Sequence, residues 1–180
     1  MSVKEHILSR AENTRSSRDK HHLSLVIEGG GMRAVFAAGV VEEIQRQGLL
    51  AAFDTFHGSS GGALIASYAS AGQSQDAADI FCGEAASLKF INPIRPLLGK
   101  PVMDLRWMID AVFRKIRPLN TAIIIEKSKS LHLVATSLRD GSIRRYSSFN
   151  SEEDLFEKLL ASAFLPILAG HSAIVSEESI

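Results

Sequence analysis

The stretch that decides the fold is Leu23-Ser24-Leu25-Val26-Ile27-Glu28-Gly29-Gly30-Gly31-Met32-Arg33-Ala34, followed after one helix length by Phe53-Asp54-Thr55-Phe56-His57-Gly58-Ser59-Ser60-Gly61-Gly62-Ala63-Leu64. Each half reads as a short apolar strand, a glycine-bearing turn and the start of an apolar helix. The second half holds G-x-S-x-G between strand and helix, the setting a nucleophile elbow requires. Gly58 and Gly62 lack Cβ atoms, so the chain can turn sharply and the helix can lie close to the strand. Ser60 then stands at the apex, at the positive end of the helix dipole. Gly29, Gly30 and Gly31, with Met32, offer successive backbone N–H groups at another helix start, a cradle for a phosphate or an oxyanion. Neither motif decides alone in a chain with 13 glycines. In this order they supply both a serine nucleophile and separate donors for a developing oxyanion.

Outward from that core the pattern predicts an α/β chain. Residues 23–27 are nearly all apolar, as in a strand covered on both faces of a parallel sheet. A helix over 33–47, stopped by Gly48, would turn Val35, Phe36, Val40 and Ile44 to the sheet and Glu42, Glu43, Gln45 and Arg46 to solvent. The elbow helix ends at Gly72, and Ser74 caps a third helix through 87. Two successive strand–loop–helix units imply layers joined by right-handed crossovers. Residues 89–103 read as a loop punctuated by Pro93, Pro96, Gly99 and Pro101. Asp104 then caps a helix to about 117, with Leu105, Met108, Ile109, Val112, Phe113 and Ile116 on one face. Trp107, Arg106, Arg114, Lys115 and Arg117 on its other faces leave two readings open. One is a core helix; the other is a lid or interfacial element meeting anionic headgroups. Residues 121–128 are ambiguous between a strand and a short helix capped by Asn120. Residues 131–137 and 142–146 form a hairpin around Arg139-Asp140-Gly141, where Asp140 reads as turn chemistry. Ser151 and Asp154 resemble a capping box for a helix to about 163.

Residues 1–22 read as a polar lead-in, frayed or weakly helical, with His21 and His22 a solvated pair rather than metal ligands. The chain has 180 residues, 46% hydrophobic and 22% charged, with zero formal net charge. Nothing global therefore points to nucleic acid, and no metal or cofactor set is expected. The single cysteine, Cys82, excludes an internal disulfide framework and points to a reduced, cytoplasmic setting. No apolar run is long enough to span a bilayer, and the N-terminus has no signal-peptide core.

These motifs resemble the patatin-like phospholipase family, whose hallmarks are a G-G-G-x-R-G loop and a G-x-S-x-G nucleophile. Gly29, Gly30, Gly31 and Arg33 match the first, and Gly58, Ser60, Gly61 and Gly62 the second. Ala34 stands where the family has glycine. The run Ala161-Ser162-Ala163-Phe164-Leu165-Pro166 resembles the family's A-S-x-A-x-P segment, extending the likeness over about 23–168. The resemblance implies a layered α/β domain over 23–180, with a mainly parallel central sheet flanked by helices. It implies a serine acyl hydrolase acting on lipid or fatty-acyl esters, with peripheral membrane contact and no cofactor. Ser60 would be the nucleophile, N–H groups of residues 29–32 the oxyanion donors, and Arg33 a loop anchor or phosphate partner. The family's base is an aspartate in a downstream D-G-G or D-G-A loop, and no histidine is used. Neither sequence occurs here, so that aspartate is expected beyond Ile180. The domain would then be C-terminally incomplete, weakly active or inactive, and partly exposed along the apolar surface of 152–168. The alternatives are a catalytically dead lipid- or protein-binding member, and an α/β-hydrolase triad of Ser60, Asp140 and His171. A nucleotide-binding module built on the glycine loop leaves the elbow unexplained. His57 precedes Gly58 on its strand and should point away from Ser60.

Overall fold

Four strands in the order β1-β2-β3-β4 form one sheet: β1 (Ser24–Ile27), β2 (Thr55–Ser59), β3 (Leu131–Thr136) and β4 (Ile143–Tyr146). The computed structural model describes residues 1–12, 20–127, 130–166 and 168–169. The first three strands run parallel, with Ile27 beside Gly58 and Gly58 beside Leu133, while β4 returns antiparallel to β3. The fold is thus mixed α/β, with a mostly parallel sheet flanked by helices.

The sheet's core face carries Ile27, Phe56, Leu131 and Leu133, all buried. Against it lies α3 (Gly61–Ser70), every residue of which is buried. Around α3 pack α2 (Ala34–Arg46), α4 (Ser74–Cys82) and α7 (Glu152–Ala163). Tyr68 on α3 meets Phe113 edge-on at 5.2 Å, and its hydroxyl donates to the Arg117 carbonyl at 2.6 Å. That burial pushes the phenol's pKa far above its usual value.

Three sequence expectations need correction. First, β1 is an edge strand of the described sheet and is not covered on both faces, since Val26 is 74% exposed. Second, α2 buries Ala34, Ala38 and Val41, whereas Val35, Phe36 and Val40 face outward and Ile44 is only half-buried. The reason is close approach: a Cβ on Gly61 would come within 2.9 Å of the Ala34 Cβ. Only the small-residue stripe of α2 fits there. Third, the helix from Ser74 ends at Cys82, because Gly83 breaks it and a single 3₁₀ turn, Glu84–Ala86, follows.

The caps at Asp104 and Ser151 form as read, accepting from the Trp107 and Asp154 N–H groups at 2.9 and 3.1 Å. After α5 (Leu105–Trp107) the chain winds as a π-helix over Met108–Ile116, burying Met108, Ile109, Val112 and Phe113. Two of its cations are paired: Arg114 with Glu152, and Arg117 with Asp79 at 2.6 Å. One face of this segment is therefore a core element, while Arg106, Lys115 and Ile116 stay exposed. The ambiguous segment is helical, α6 (Thr121–Glu126), with Asn120 accepting from the Ile123 N–H. The lead-in forms α1 (Val3–Glu12), attached through Arg10, which donates to Asp54 at 2.7 Å and to the Ala52 carbonyl at 3.0 Å. Among the described residues no helix is long and apolar enough to cross a membrane.

Candidate active site

The two glycine motifs meet at the carboxyl ends of β1 and β2, where open parallel sheets place ligands. Their contact is backbone to backbone. A Cβ on Gly62 would stand 2.2 Å from the Ile27 carbonyl oxygen, and one on Gly58 would stand 2.3 Å from the Gly62 oxygen. A Cβ on Gly29 would press on the Ser59 oxygen at 2.9 Å and the Ser60 Cβ at 3.0 Å. Only hydrogen fits at these positions, so the glycine loop is closed directly onto the elbow.

Ser60 itself has φ 55° and ψ −126°, and it is the one non-glycine residue with positive φ among those described. Such a backbone costs of order 1–3 kcal/mol and persists only where its surroundings enforce it. The serine precedes α3, yet its side chain makes no capping hydrogen bond to that helix. Its carbonyl accepts from Ala63 and Leu64, and its N–H donates to Ser162 Oγ at 3.1 Å. Ser162, buried on α7, in turn donates to the Val134 carbonyl at 2.6 Å. One hydroxyl thus ties the elbow to β3 and α7. Sequence reading found the segment containing Ser162 but not this link, which depends on a contact 102 residues apart.

The glycine loop turns into a 3₁₀ segment, Gly31–Arg33, with Gly31 at φ 55°. The first N–H groups of such a turn, at Gly31 and Met32, have no acceptor inside it. Arg33 is exposed, and its side chain has no partner among the described residues. Beside Ser60 lies an apolar cavity of about 30 Å³, bounded by Met32, Leu64, Phe81, Phe90, Met103 and Met108. Among the described residues no carboxylate or imidazole lines it. A wider groove of about 880 Å³ lies at the opposite end of β2, around Asp54, Thr55, Glu126 and Lys127. It has no strained residue and lies away from the strands' carboxyl ends, so its size does not make it the site.

Of the candidate partners of Ser60, Asp140 and His57 are among the described residues, and both lie away from it. Asp140 sits in the exposed β3–β4 turn and accepts from the Ser142 N–H at 3.0 Å and its hydroxyl at 2.7 Å. Those two bonds hold its carboxyl down at about 2. His171 lies outside the described residues. The His57 imidazole is on the sheet face away from the elbow helix, bonded to Thr55 Oγ1 at 3.0 Å and stacked on His132 at 4.2 Å.

Residues 25–178 match the patatin-like phospholipase family. Over 116 residues the chain is 31% identical to the uncharacterized protein YjjU of Escherichia coli (strain K12), a stretch amounting to 63% of this chain. The matched stretch spans only 32% of that relative's length. A family match across nearly the whole sheet and both glycine motifs, with the loop and elbow in contact, identifies the chain as a member of the patatin-like phospholipase family.

Proposed function

We propose that this chain carries the acyl-transfer half-site of a lipid acyl hydrolase, with Ser60 as nucleophile. The observation that carries the reading is the strained Ser60 backbone held under the glycine loop. In the proposed step the Ser60 oxygen attacks an ester carbonyl and its proton passes to a base. The carbonyl oxygen becomes an oxyanion held by N–H groups of residues 29–32, and the alcohol then leaves with a proton. Water repeats the sequence on the acyl-enzyme and releases the acid. The acyl chain enters the apolar cavity, whose volume is about that of one water, by displacing the flexible Met32, Met103 and Met108 side chains. Arg33 stands free to meet a phosphate at the mouth. The base comes from outside the described residues.

One observation favours a second reading, a lipid-binding protein on a hydrolase scaffold: no acid or base lines the cavity among the described residues. A nucleotide-binding role is disfavoured because the glycine loop faces the serine at contact distance. Treatment with an alkyl fluorophosphonate separates the readings. With a base present, wild-type protein should become labelled, Ser60→Ala should not, and Asp140→Asn should label at a rate within a few-fold of wild type. Labelling that persists in Ser60→Ala overturns the nucleophile. Wild-type protein that stays unlabelled yet binds a fatty acid favours the binding reading.

A further inference from the structure

Between Phe90 and Asp104 the chain leaves the core and returns. Its neck is pinned by the Ile91–Met103 bridge and by hydrogen bonds from the Asn92 N–H to the Val102 carbonyl and from the Asp104 N–H to the Phe90 carbonyl, both 2.9 Å. Inside the excursion, Arg95 donates to the Lys89 carbonyl at 2.8 Å and pairs with Asp104 at 3.3 Å. Asn92 Oδ1 accepts from the Ile94 N–H, and a 3₁₀ turn, Arg95–Leu98, closes on Gly99 at φ 69°. Polar contacts thus fix the loop, yet its apolar side chains point outward. Leu97 is 84% exposed, Leu98 73% and Ile94 64%, with Leu88 at 71% beside the neck. A cluster of that kind on an ordered loop marks an interaction surface.

Charge and position indicate what covers it. No carboxylate occurs between Glu84 and Asp104, while Lys89 and Lys100 are exposed at either end. The neck residues Phe90, Ile91 and Met103 also line the cavity at Ser60. Met103 further receives the chain after α7, donating to the Leu168 carbonyl at 2.8 Å, where Leu165 and Leu168 remain partly exposed. Exposed leucines flanked by lysines, on a loop whose base is the wall of the apolar cavity at Ser60, have the composition of an interfacial anchor.

We propose that the excursion at residues 92–102 is a membrane wedge. It seats Ile94, Leu97 and Leu98 in the interfacial layer of an anionic bilayer, with Lys89 and Lys100 on the headgroups, and presents the Ser60 cavity to the lipid. The link to the cavity rests on the acyl-hydrolase reading; the bilayer contact does not. Co-sedimentation with phosphatidylcholine vesicles, with and without phosphatidylglycerol, tests it. Wild-type protein should sediment with the anionic vesicles more than with the neutral ones. Leu97→Asp/Leu98→Asp should weaken that binding at least about tenfold, since each leucine contributes roughly one decade when buried. Lys89→Glu/Lys100→Glu should abolish the preference for anionic lipid. These side chains are exposed, so both variants should keep the wild-type melting temperature. Ser60→Ala should bind vesicles as wild type does, whatever its labelling shows, which keeps the two readings distinguishable. Wild-type protein that stays off both vesicle types, or a leucine variant that binds undiminished, overturns the wedge.

Discussion

At the residue scale, Ser60 holds a conformation that a side chain disfavours, and the surrounding glycines show what enforces it. Gly62 leaves room only for hydrogen against the Ile27 carbonyl, so α3 packs on β1 in backbone contact directly beside the elbow. The Ser162 hydroxyl holds the elbow N–H from the other side. This arrangement makes a prediction about stability. Ser60→Gly should remove most of the 1–3 kcal/mol of backbone strain while losing up to about 1 kcal/mol to the freer unfolded chain. The net gain should be about 1 kcal/mol in urea unfolding. Ser60→Ala keeps a Cβ at φ 55° and loses no capping bond, so it should show no such gain. A glycine variant no more stable than the alanine variant would mean that the elbow is not strained. A stabilised, unreactive Ser60→Gly would be the pattern of a fold that trades stability for a functional geometry.

At the element scale, α1 is the clearest case of an element held by polar contacts, since none of its residues is buried. Arg10 reaches from it to Asp54 and to the Ala52 and His21 carbonyls, and both partners of the ion pair are about one-tenth exposed. Arg10→Met should free α1, so that its amides exchange with solvent at least about tenfold faster while those of β2 and α3 stay protected. Unchanged protection in α1 would show that other contacts suffice. Much of the architecture was legible in the sequence because local chemistry specified it: both strand–glycine–helix units, the caps at Asp104 and Ser151, and the turn at Asp140. The facing of α2 was not. Its sequence carries a bulky stripe, Val35-Phe36-Val40, beside a small one, Ala34-Ala38-Val41, and only the closeness of Gly61 decides between them. The burial of β1 depended on what flanks it, which a strand pattern does not encode. Residues 89–103 were legible as a loop from their prolines, but not as one that points its leucines outward. That requires Arg95 and Asn92 to satisfy the backbone from within.

At the scale of the whole molecule, the outer sheet face joins three histidines from different segments. Thr55 Oγ1 lies 3.1 Å from His22 Nε2 and 3.0 Å from His57 Nε2, and the Ser24 hydroxyl is 2.9 Å away. The rings of His57 and His132 lie flat on each other across β2 and β3, 3° from parallel. Burial, then the neighbouring His132 and His22, lower the His57 pKa below its ordinary value. The unfolded chain keeps a histidine near about 6.5, so between that value and the folded one it binds more protons than the native state. Stability contributed here is therefore complete above about pH 6.5 and is lost as the pH falls through the folded pKa of His57. The urea midpoint of the wild type should be level from about pH 8 to 7 and should decline from about 6.5 downward, ahead of the carboxylates near 4. His57→Gln keeps a group able to bond Thr55 but cannot be protonated, so its midpoint should stay level over the same interval. His132→Gln should shrink the decline by removing the facing positive charge without abolishing it. A His57→Gln curve that falls in step with the wild type would place the acid sensitivity of this fold outside the stacked pair.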